Sequence, residues 1–315
     1  MSDFSEYLGY RTSFLGNEVP LPVMTSAQEN DLAPVDGKTD GIADYINYSL
    51  AISIDRRFPF YTATNIDGKK FRKASRADNW RRDSRIETTH QWGPELYRAR
   101  KSDFDRGHMT KREDVQWGVS IADAEKAADS TFFYTNSVPQ HAALNQRIWR
   151  LLEDYILHTE AKENDLRICV FTGPVLSKKD PVFVTEVSGQ EIKIPTLFWK
   201  VVVFQKSDEK LYRVGFMMSQ ESLLRDNDIV ESIRDLTLES LEDEDQLFLQ
   251  FEEAETYQTN VSTIEKLTGL KMPDAIDIYK DDRPVKLMLK EIDVSLESLD
   301  ETTRELGFEI GGLVL

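Results

Sequence analysis

The sequence lacks most features that would place it outside a reducing, aqueous compartment. Its 315 residues include one cysteine, Cys169, so no disulfide can form within the chain. The N-terminus carries acidic residues at Asp3 and Glu6 and no apolar run, so no signal or transit peptide is readable. No hydrophobic stretch is long enough to span a bilayer. These absences predict a cytoplasmic protein without a membrane partner, with export by a route lacking a cleavable signal left open.

Positive charge is also scarce, with 39 Lys or Arg against 56 Asp or Glu and a formal net charge of -17. This balance alone argues against a nucleic-acid partner, because phosphate binding depends on Lys and Arg. The distribution is uneven, however. Between Asp55 and Asp114 there are 16 Lys or Arg against 10 Asp or Glu, whereas Asp235 to Glu265 holds ten acidic residues and no Lys or Arg. The basic stretch keeps a phosphate-bearing substrate open, and the acidic run is interpreted as a solvated face.

The remaining composition is typical of a globular protein, with 40% hydrophobic and 30% charged residues. Residues 1–40 are rich in Gly, Pro, Asp, Ser and Asn without a sustained period, which predicts an N-terminal extension with little structure of its own. A single domain is predicted over residues 41–280. Residues 281–315 are predicted to form a C-terminal tail of unreadable role, with an acidic helix from Leu296 to Leu306.

Within the predicted domain, hydrophobic residues alternate as they do in β-strands. The strands are predicted at 45–54, 58–66, 167–171, 197–204 and 211–217. An apolar stripe predicts a helix over 144–158, and a capping box at Ser262 predicts a later helix that ends before Gly269. The pattern favours an α+β fold with antiparallel sheets and helices on their faces.

Three stretches carry polar residues where the pattern favours hydrophobic residues or turns. They are Asp103 to Met109, Phe132 to Gln140 and the helix from Leu144 to Glu153. Hydrolysis of a phosphodiester needs a base for water, positive charge for the phosphate and a cation for the leaving oxygen. His108 is the candidate base, since histidine titrates at about pH 6.5. Gly107 predicts an irregular strand from which Arg106 can reach a phosphate.

The cation site is predicted at the start of the helix. Asn145 offers a neutral carbonyl oxygen, a hard ligand suited to Mg²⁺, which keeps most of its waters. Glu153 follows eight residues later, roughly 12 Å along a regular helix and about 80° around it, which is too far to share one ion directly. Glu153 is therefore predicted to act through metal-bound water. One cysteine and scattered histidines give no zinc site.

Each residue also has a structural interpretation, which is favoured when it is taken alone. The Asp105 to His108 segment could be a salt-bridged turn, Asn145 a helix cap and Glu153 a solvated helix residue. Order and spacing change this balance. Asp105-Arg106-Gly107-His108-Met109, Thr135-Asn136-Ser137-Val138-Pro139-Gln140 and Leu144-Asn145 to Leu152-Glu153 together resemble the active-site series of the DNA/RNA non-specific endonuclease family, which includes the endonuclease G group.

The resemblance covers about residues 45 to 270 and implies a β-β-α metal finger within a larger antiparallel sheet. It implies that His108 is the general base, Asn145 the direct Mg²⁺ ligand (Mn²⁺ being an alternative ion) and Glu153 an outer-shell acid. It further implies that Arg106 contacts phosphate and that Asn136 steadies the site. The family also uses an upstream arginine at the transition state. Among Arg76, Arg81, Arg82 and Arg85, the choice is left open, with Arg81 or Arg85 favoured.

The resemblance implies a substrate of DNA and RNA with little sequence preference. Two other functions stay open, namely an inactive nuclease-like module that only binds, and a phosphodiesterase acting on small nucleotides. Because a non-specific nuclease endangers its own cell, the activity is predicted to be restrained by a homodimeric assembly, by an inhibitor or other regulatory partner, or by the terminal segments.

Overall fold

The structure is a computed structural model, and it describes residues 4–75, 77–142, 166–231, 250–251, 255–291 and 308–314. The described strands are β1 Ile42–Asp44, β2 Tyr48–Ile52, β3 Pro59–Asp67, β4 Phe104–His108, β5 Ser137–His141, β6 Arg167–Pro174, β7 Leu197–Gln205, β8 Leu211–Ser219, β9 Thr256–Thr259, β10 Ile276–Asp277, β11 Val285–Lys286, β12 Met288–Glu291 and β13 Phe308–Gly311. The described α-helices are α1 Ser26–Asn30, α2 Pro94–Tyr97, α3 Ile121–Ser130, α4 Glu221–Asp226 and α5 Val261–Thr268.

Most of the strands form one nine-stranded sheet with the order β1-β2-β3-β6-β7-β8-β9-β11, and β10 lies beside β8. Every pairing in it is antiparallel except that of β10 with β8. The five strands predicted from alternation overlap β2, β3, β6, β7 and β8, while β1 ends one residue before the first predicted strand. The fold is α+β, as predicted.

The central strands are buried on both faces. In β6, Ile168 and Val170 pack into one core cluster while Cys169 and Phe171 pack into another. Successive residues of a strand point to opposite faces, so covering both faces requires a continuous apolar run. Cys169 is fully buried, and burial raises the pKa of its thiol to about 11. This thiol is a core residue, as its apolar neighbours predict.

The N-terminal segment, predicted to have little structure of its own, contains the five-residue helix α1 and contributes to the core. Tyr10, Phe14 and Val19 pack into the same cluster as Phe171, and the Tyr10 and Phe171 rings lie 5.6 Å apart. Sequence periodicity misses such a segment because irregular chain can bury side chains without repeating at 2 or 3.6 residues.

The C-terminal segment also joins the main sheet. Strand β11 pairs with β9 through Val285 and Gln258, so the sheet continues beyond residue 280. Strands β12 and β13 form a separate two-stranded sheet. The acidic helix predicted from Leu296 to Leu306 lies outside the described residues, as does the helix predicted over 144–158.

The N-cap of the late helix, α5, lies two residues before the predicted capping box at Ser262. Asn260 is the N-cap, and its side chain accepts from the Thr263 N–H at 2.8 Å. Ser262 instead donates to the Asn260 side chain, so its predicted role is wrong. Gly269 ends the helix with a φ of 70°, a left-handed conformation that favours glycine. In the described part of the chain, no helix has the length and apolar character to cross a membrane.

Candidate active site

The candidate base lies on a two-stranded antiparallel sheet, β4 and β5, separate from the main sheet and called the β4–β5 hairpin here, although residues 109–136, including α3, connect its strands. Strand β4 pairs with β5 in unbroken antiparallel register, from Phe104 opposite His141 to His108 opposite Ser137. The irregularity predicted at Gly107 is therefore absent. Because residues two apart on a regular strand share a face, Arg106 and His108 lie on the same side of the hairpin.

Gly107 lies against the side chain of Gln140, a residue of β5. A Cβ added to Gly107 would collide with the Gln140 side chain, which crosses the strand at that point. The residue therefore serves close packing between the two strands, and its backbone remains extended. A larger side chain at this position would displace the buried Gln140 side chain.

The side-chain amide of Asn136 links the chain that follows β4 to the chain that precedes β5. Its oxygen accepts from the Thr110 N–H at 2.8 Å, and its nitrogen donates to the carbonyls of Thr110 (3.0 Å) and Thr131 (3.1 Å). The Asn136 carbonyl also accepts from the Met109 N–H at 2.9 Å. The residue is fully buried. It thus fixes the chain that follows His108 against the chain that leads into β5.

His108 packs against a group of aromatic rings. Its ring centroid lies 4.7 Å from that of Trp80 and 5.2 Å from that of Phe132, which presents its edge. Tyr134 lies 5.6 Å from Trp80, and the Arg106 guanidinium lies over the Trp80 ring at 5.3 Å. The base, the candidate phosphate contact and Trp80 therefore share one small region.

Main-chain hydrogen bonds hold Trp80 in this place. The Arg81 N–H donates to the Phe132 carbonyl (3.0 Å), and the Tyr134 N–H donates to the Arg81 carbonyl (2.9 Å). Arg81 directs its own side chain to Asp129, with a closest nitrogen–oxygen distance of 2.6 Å, and lies over the Phe133 ring at 4.1 Å. Trp80 and Arg81 thus point in opposite directions.

Two of the other upstream arginines, Arg82 and Arg85, are held in ion pairs. Arg85 pairs with the buried carboxylate of Asp83 at 2.6 Å, and that carboxylate also accepts from the Tyr45 hydroxyl at 2.6 Å. Burial, and then the Asp83 charge, raise the pKa of the Tyr45 hydroxyl well above its usual value. Arg82 pairs with Glu95 at 2.6 Å, and Arg76 lies outside the described residues.

Ion pairing reduces the free positive charge of the stretch from Asp55 to Asp114. Four of its arginines pair with carboxylates, and one of these carboxylates, Asp129, lies beyond the stretch. These arginines are Arg81, Arg82, Arg85 and Arg112. A residue count therefore overstates the field that this region presents to a phosphate.

Gln220, which follows β8, connects the hairpin to the main sheet. Its amide oxygen accepts from the His141 N–H at 2.9 Å, and its nitrogen donates to the carbonyls of Pro139 (3.1 Å) and Pro195 (2.7 Å). The side chain thereby contacts β5 as a neighbouring strand would. Neither Gln220 nor Trp80 stands out in the sequence, because no local pattern announces a contact between distant segments.

The two candidate metal-site residues, Asn145 and Glu153, lie outside the described residues. Strand β5, the partner of the strand that carries His108, ends at His141, four residues before Asn145. Across the described ranges, no group of three or more His, Cys, Asp or Glu side chains is arranged to hold a metal ion.

The family model of DNA/RNA non-specific endonucleases matches residues 28–277 of the chain. The chain belongs to this family. An uncharacterized protein, y4fB of Sinorhizobium fredii (strain NBRC 101917 / NGR234), is 36% identical over 229 residues, covering 69% of this chain and 33% of the relative. Human mitochondrial endonuclease G is 27% identical over 146 residues, covering 44% of this chain and 46% of that protein. The chain thus spans less than half the length of these two relatives.

A solved structure has the same fold. The crystal structure of the EndoG/EndoGI complex, which addresses the mechanism of EndoG inhibition, contains a chain that superposes with a TM-score of 0.50 and 20% identity. The superposition covers 74% of this chain and 85% of that chain. At this identity the similarity supports the α+β nuclease fold and carries no residue roles.

Proposed function

We propose that this protein is an endonuclease that hydrolyses phosphodiester bonds of DNA and RNA with little sequence preference. The observation that carries the proposal is the β4–β5 hairpin of this family member, which places His108 and Arg106 on one face and clamps the end of β4 through Asn136. A base and a cationic phosphate contact on one rigid strand meet the geometric need of hydrolysis.

In this mechanism, His108 takes a proton from the water whose oxygen attacks phosphorus, as the bond to the leaving oxygen breaks. Arg106 holds a non-bridging phosphate oxygen, and Asn136 keeps the strand that carries both residues in register. Asn145 would bind Mg²⁺ or Mn²⁺ directly, and Glu153 would orient its coordinated water. The ion, when bound, stabilises the negative charge that builds on the leaving oxygen.

The donor chemistry fits a hard ion with few protein ligands. Asn145 offers a carbonyl oxygen, and Mg²⁺ retains several waters and needs only one or two protein oxygens. For the upstream arginine, the contacts of Arg81 with Asp129 and of Arg85 with Asp83 favour structural roles for both. Arg76, Arg82 and these two all remain candidates in this proposal.

Cleavage assays separate this function from its alternatives. Purified protein with Mg²⁺ should cut both plasmid DNA and RNA at internal positions, and EDTA should abolish cleavage. Binding of DNA without cleavage in Mg²⁺ or Mn²⁺ would instead support the inactive binding module. Faster hydrolysis of a bis-aryl phosphate than of long DNA would support a phosphodiesterase for small nucleotides.

Regulation and cellular location are part of the same proposal. We place the protein in the cytoplasm, restrained by dimerisation, an inhibitor or its terminal segments. The related fold was solved in an EndoG/EndoGI complex, which supports testing an inhibitor. Deleting residues 281–315 would also remove β11 from the main sheet, so the tail is better tested by neutralising its acidic residues. An unchanged cleavage rate and salt dependence would contradict restraint by the tail.

A further inference from the structure

We propose that Trp80 is a positioning residue for His108. Its ring orients the imidazole and stabilises the imidazolium that forms during proton transfer. This inference rests on the proposed function, since it assigns a role beside the candidate base. Its starting observation is the 4.7 Å distance between the Trp80 and His108 ring centroids, with the ring planes inclined by 52°.

The surroundings of Trp80 show a ring that is locked in place. The Phe132 ring meets it edge-on at 5.4 Å, Tyr134 packs at 5.6 Å and the Arg106 guanidinium lies over it at 5.3 Å. Tyr97 then stacks on Tyr134 at 5.9 Å. These contacts leave Trp80 little freedom, so its indole is a fixed wall for the imidazole and a poor platform for a nucleic-acid base.

The backbone supports the same assignment. Trp80 directly precedes Arg81 in the chain. The main chain of Arg81 forms a parallel β-bridge with Phe133, the residue between Phe132 and Tyr134. The ion pair of Arg81 with Asp129 secures this segment from its other side. Loss of the Arg81 side chain should therefore reach His108 indirectly, through Trp80.

The chemical reason lies in the charge that His108 acquires. A base that takes a proton becomes an imidazolium, and the π system of an indole attracts a cation, more strongly when the pair is shielded from water. The Arg106 guanidinium lies over the Trp80 ring and opposes that positive charge, while the Tyr134 ring packs on Trp80 and the Tyr97 ring packs on Tyr134. The Trp80 ring thus offsets the repulsion between the His108 imidazolium and the Arg106 guanidinium, which is needed to contact the phosphate.

The test compares Trp80→Leu and Trp80→Phe, because leucine keeps an apolar wall without a π face and phenylalanine keeps both. Trp80→Leu should lower kcat about tenfold with little change in KM for DNA, since orientation is lost and binding is not. The acid limb of the pH profile of kcat should shift to lower pH by roughly half to one unit, because the imidazolium form of His108 is less stabilised in this variant. Trp80→Phe should restore most of both.

Trp117→Leu is the matched control. Trp117 also has an arginine, Arg11, over its ring at 5.7 Å, but it packs in the core cluster that contains Phe171. It should change thermal stability without moving the pH profile. NMR titration of the His108 ring gives a readout without turnover, and its pKa should fall in Trp80→Leu. An unchanged kcat, acid limb and His108 titration in folded Trp80→Leu would overturn the inference, whereas an inactive wild-type protein would overturn the proposed function.

Discussion

The main sheet and the β4–β5 hairpin are stabilised in different ways. In the sheet, strands of up to nine residues pair through their backbones, and both faces are covered by apolar clusters. The hairpin has two five-residue strands, and the amides of Asn136 and Gln220 tie it to the surrounding chain. Stability therefore resides mainly in the sheet, while the positions of the candidate catalytic groups depend on a few polar side chains.

The largest expected effect on stability comes from the sheet. Phe171→Ala in β6 should lower the free energy of unfolding by about 3–5 kcal/mol, because a fully buried ring leaves a cavity between the sheet and Tyr10. Chemical denaturation measures this change. Below its unfolding transition the variant should retain the wild-type kcat, and a large loss of kcat in folded protein would contradict the separation of the two regions.

Asn136→Ala tests the hairpin by the opposite criterion. It removes three side-chain hydrogen bonds and leaves buried groups of Thr110 and Thr131 without them, so stability should fall by about 2–3 kcal/mol and cleavage by at least about tenfold. Asn260→Ala, which removes the N-cap of α5, is the matched control. It should cost about 1 kcal/mol of stability and leave cleavage unchanged.

The pH dependence of stability should arise from Asp180, which lies outside the β4–β5 hairpin. Burial outweighs the opposing charge of Arg56, 2.6 Å away, and raises the pKa of Asp180 to about 7. An acid whose pKa is raised on folding stabilises the protein fully below its unfolded pKa of about 3.9, and this stability is lost as pH rises through 7. Wild-type stability should fall by up to about 1.4 kcal/mol per pH unit in that window.

Asp180→Asn removes this titration, so its unfolding free energy should vary less between pH 4 and 7 than that of the wild type. Thermal unfolding followed across this range provides the measurement. Equal slopes in the two proteins would show that Asp180 is ionised throughout, held by Arg56.

The smallest expected effect concerns the attachment of the hairpin to the sheet. Gln220→Leu keeps the size of the side chain but removes its bonds to His141, Pro139 and Pro195, and should cost about 1–2 kcal/mol with a few-fold loss of kcat. Gln258→Leu is closely matched, because that amide also pairs with main chain, at Val314. Equal effects of both variants on kcat would argue against a positioning role for Gln220.

The same contrast explains what the sequence predicts. Strands β6, β7 and β8 are readable because their burial on both faces requires runs such as that from Ile168 to Phe171. The core role of residues 10–19 is not readable, since irregular chain has no period. At the site, His108 and Arg106 lie on β4, and Asn136 lies directly before β5. Trp80 and Gln220 escape prediction because they reach the site from segments far apart in sequence.

Plasmid cleavage in Mg²⁺ by His108→Ala, with and without added imidazole, tests whether the β4–β5 hairpin carries the general base. Removal of a general base should lower the cleavage rate by roughly 10²- to 10⁴-fold while the fold is retained. Imidazole that enters the space beside Trp80 should restore part of the rate, and the restoration should grow with the neutral fraction of imidazole. Cleavage by His108→Ala at the wild-type rate would contradict the assignment of the β4–β5 hairpin as the catalytic site.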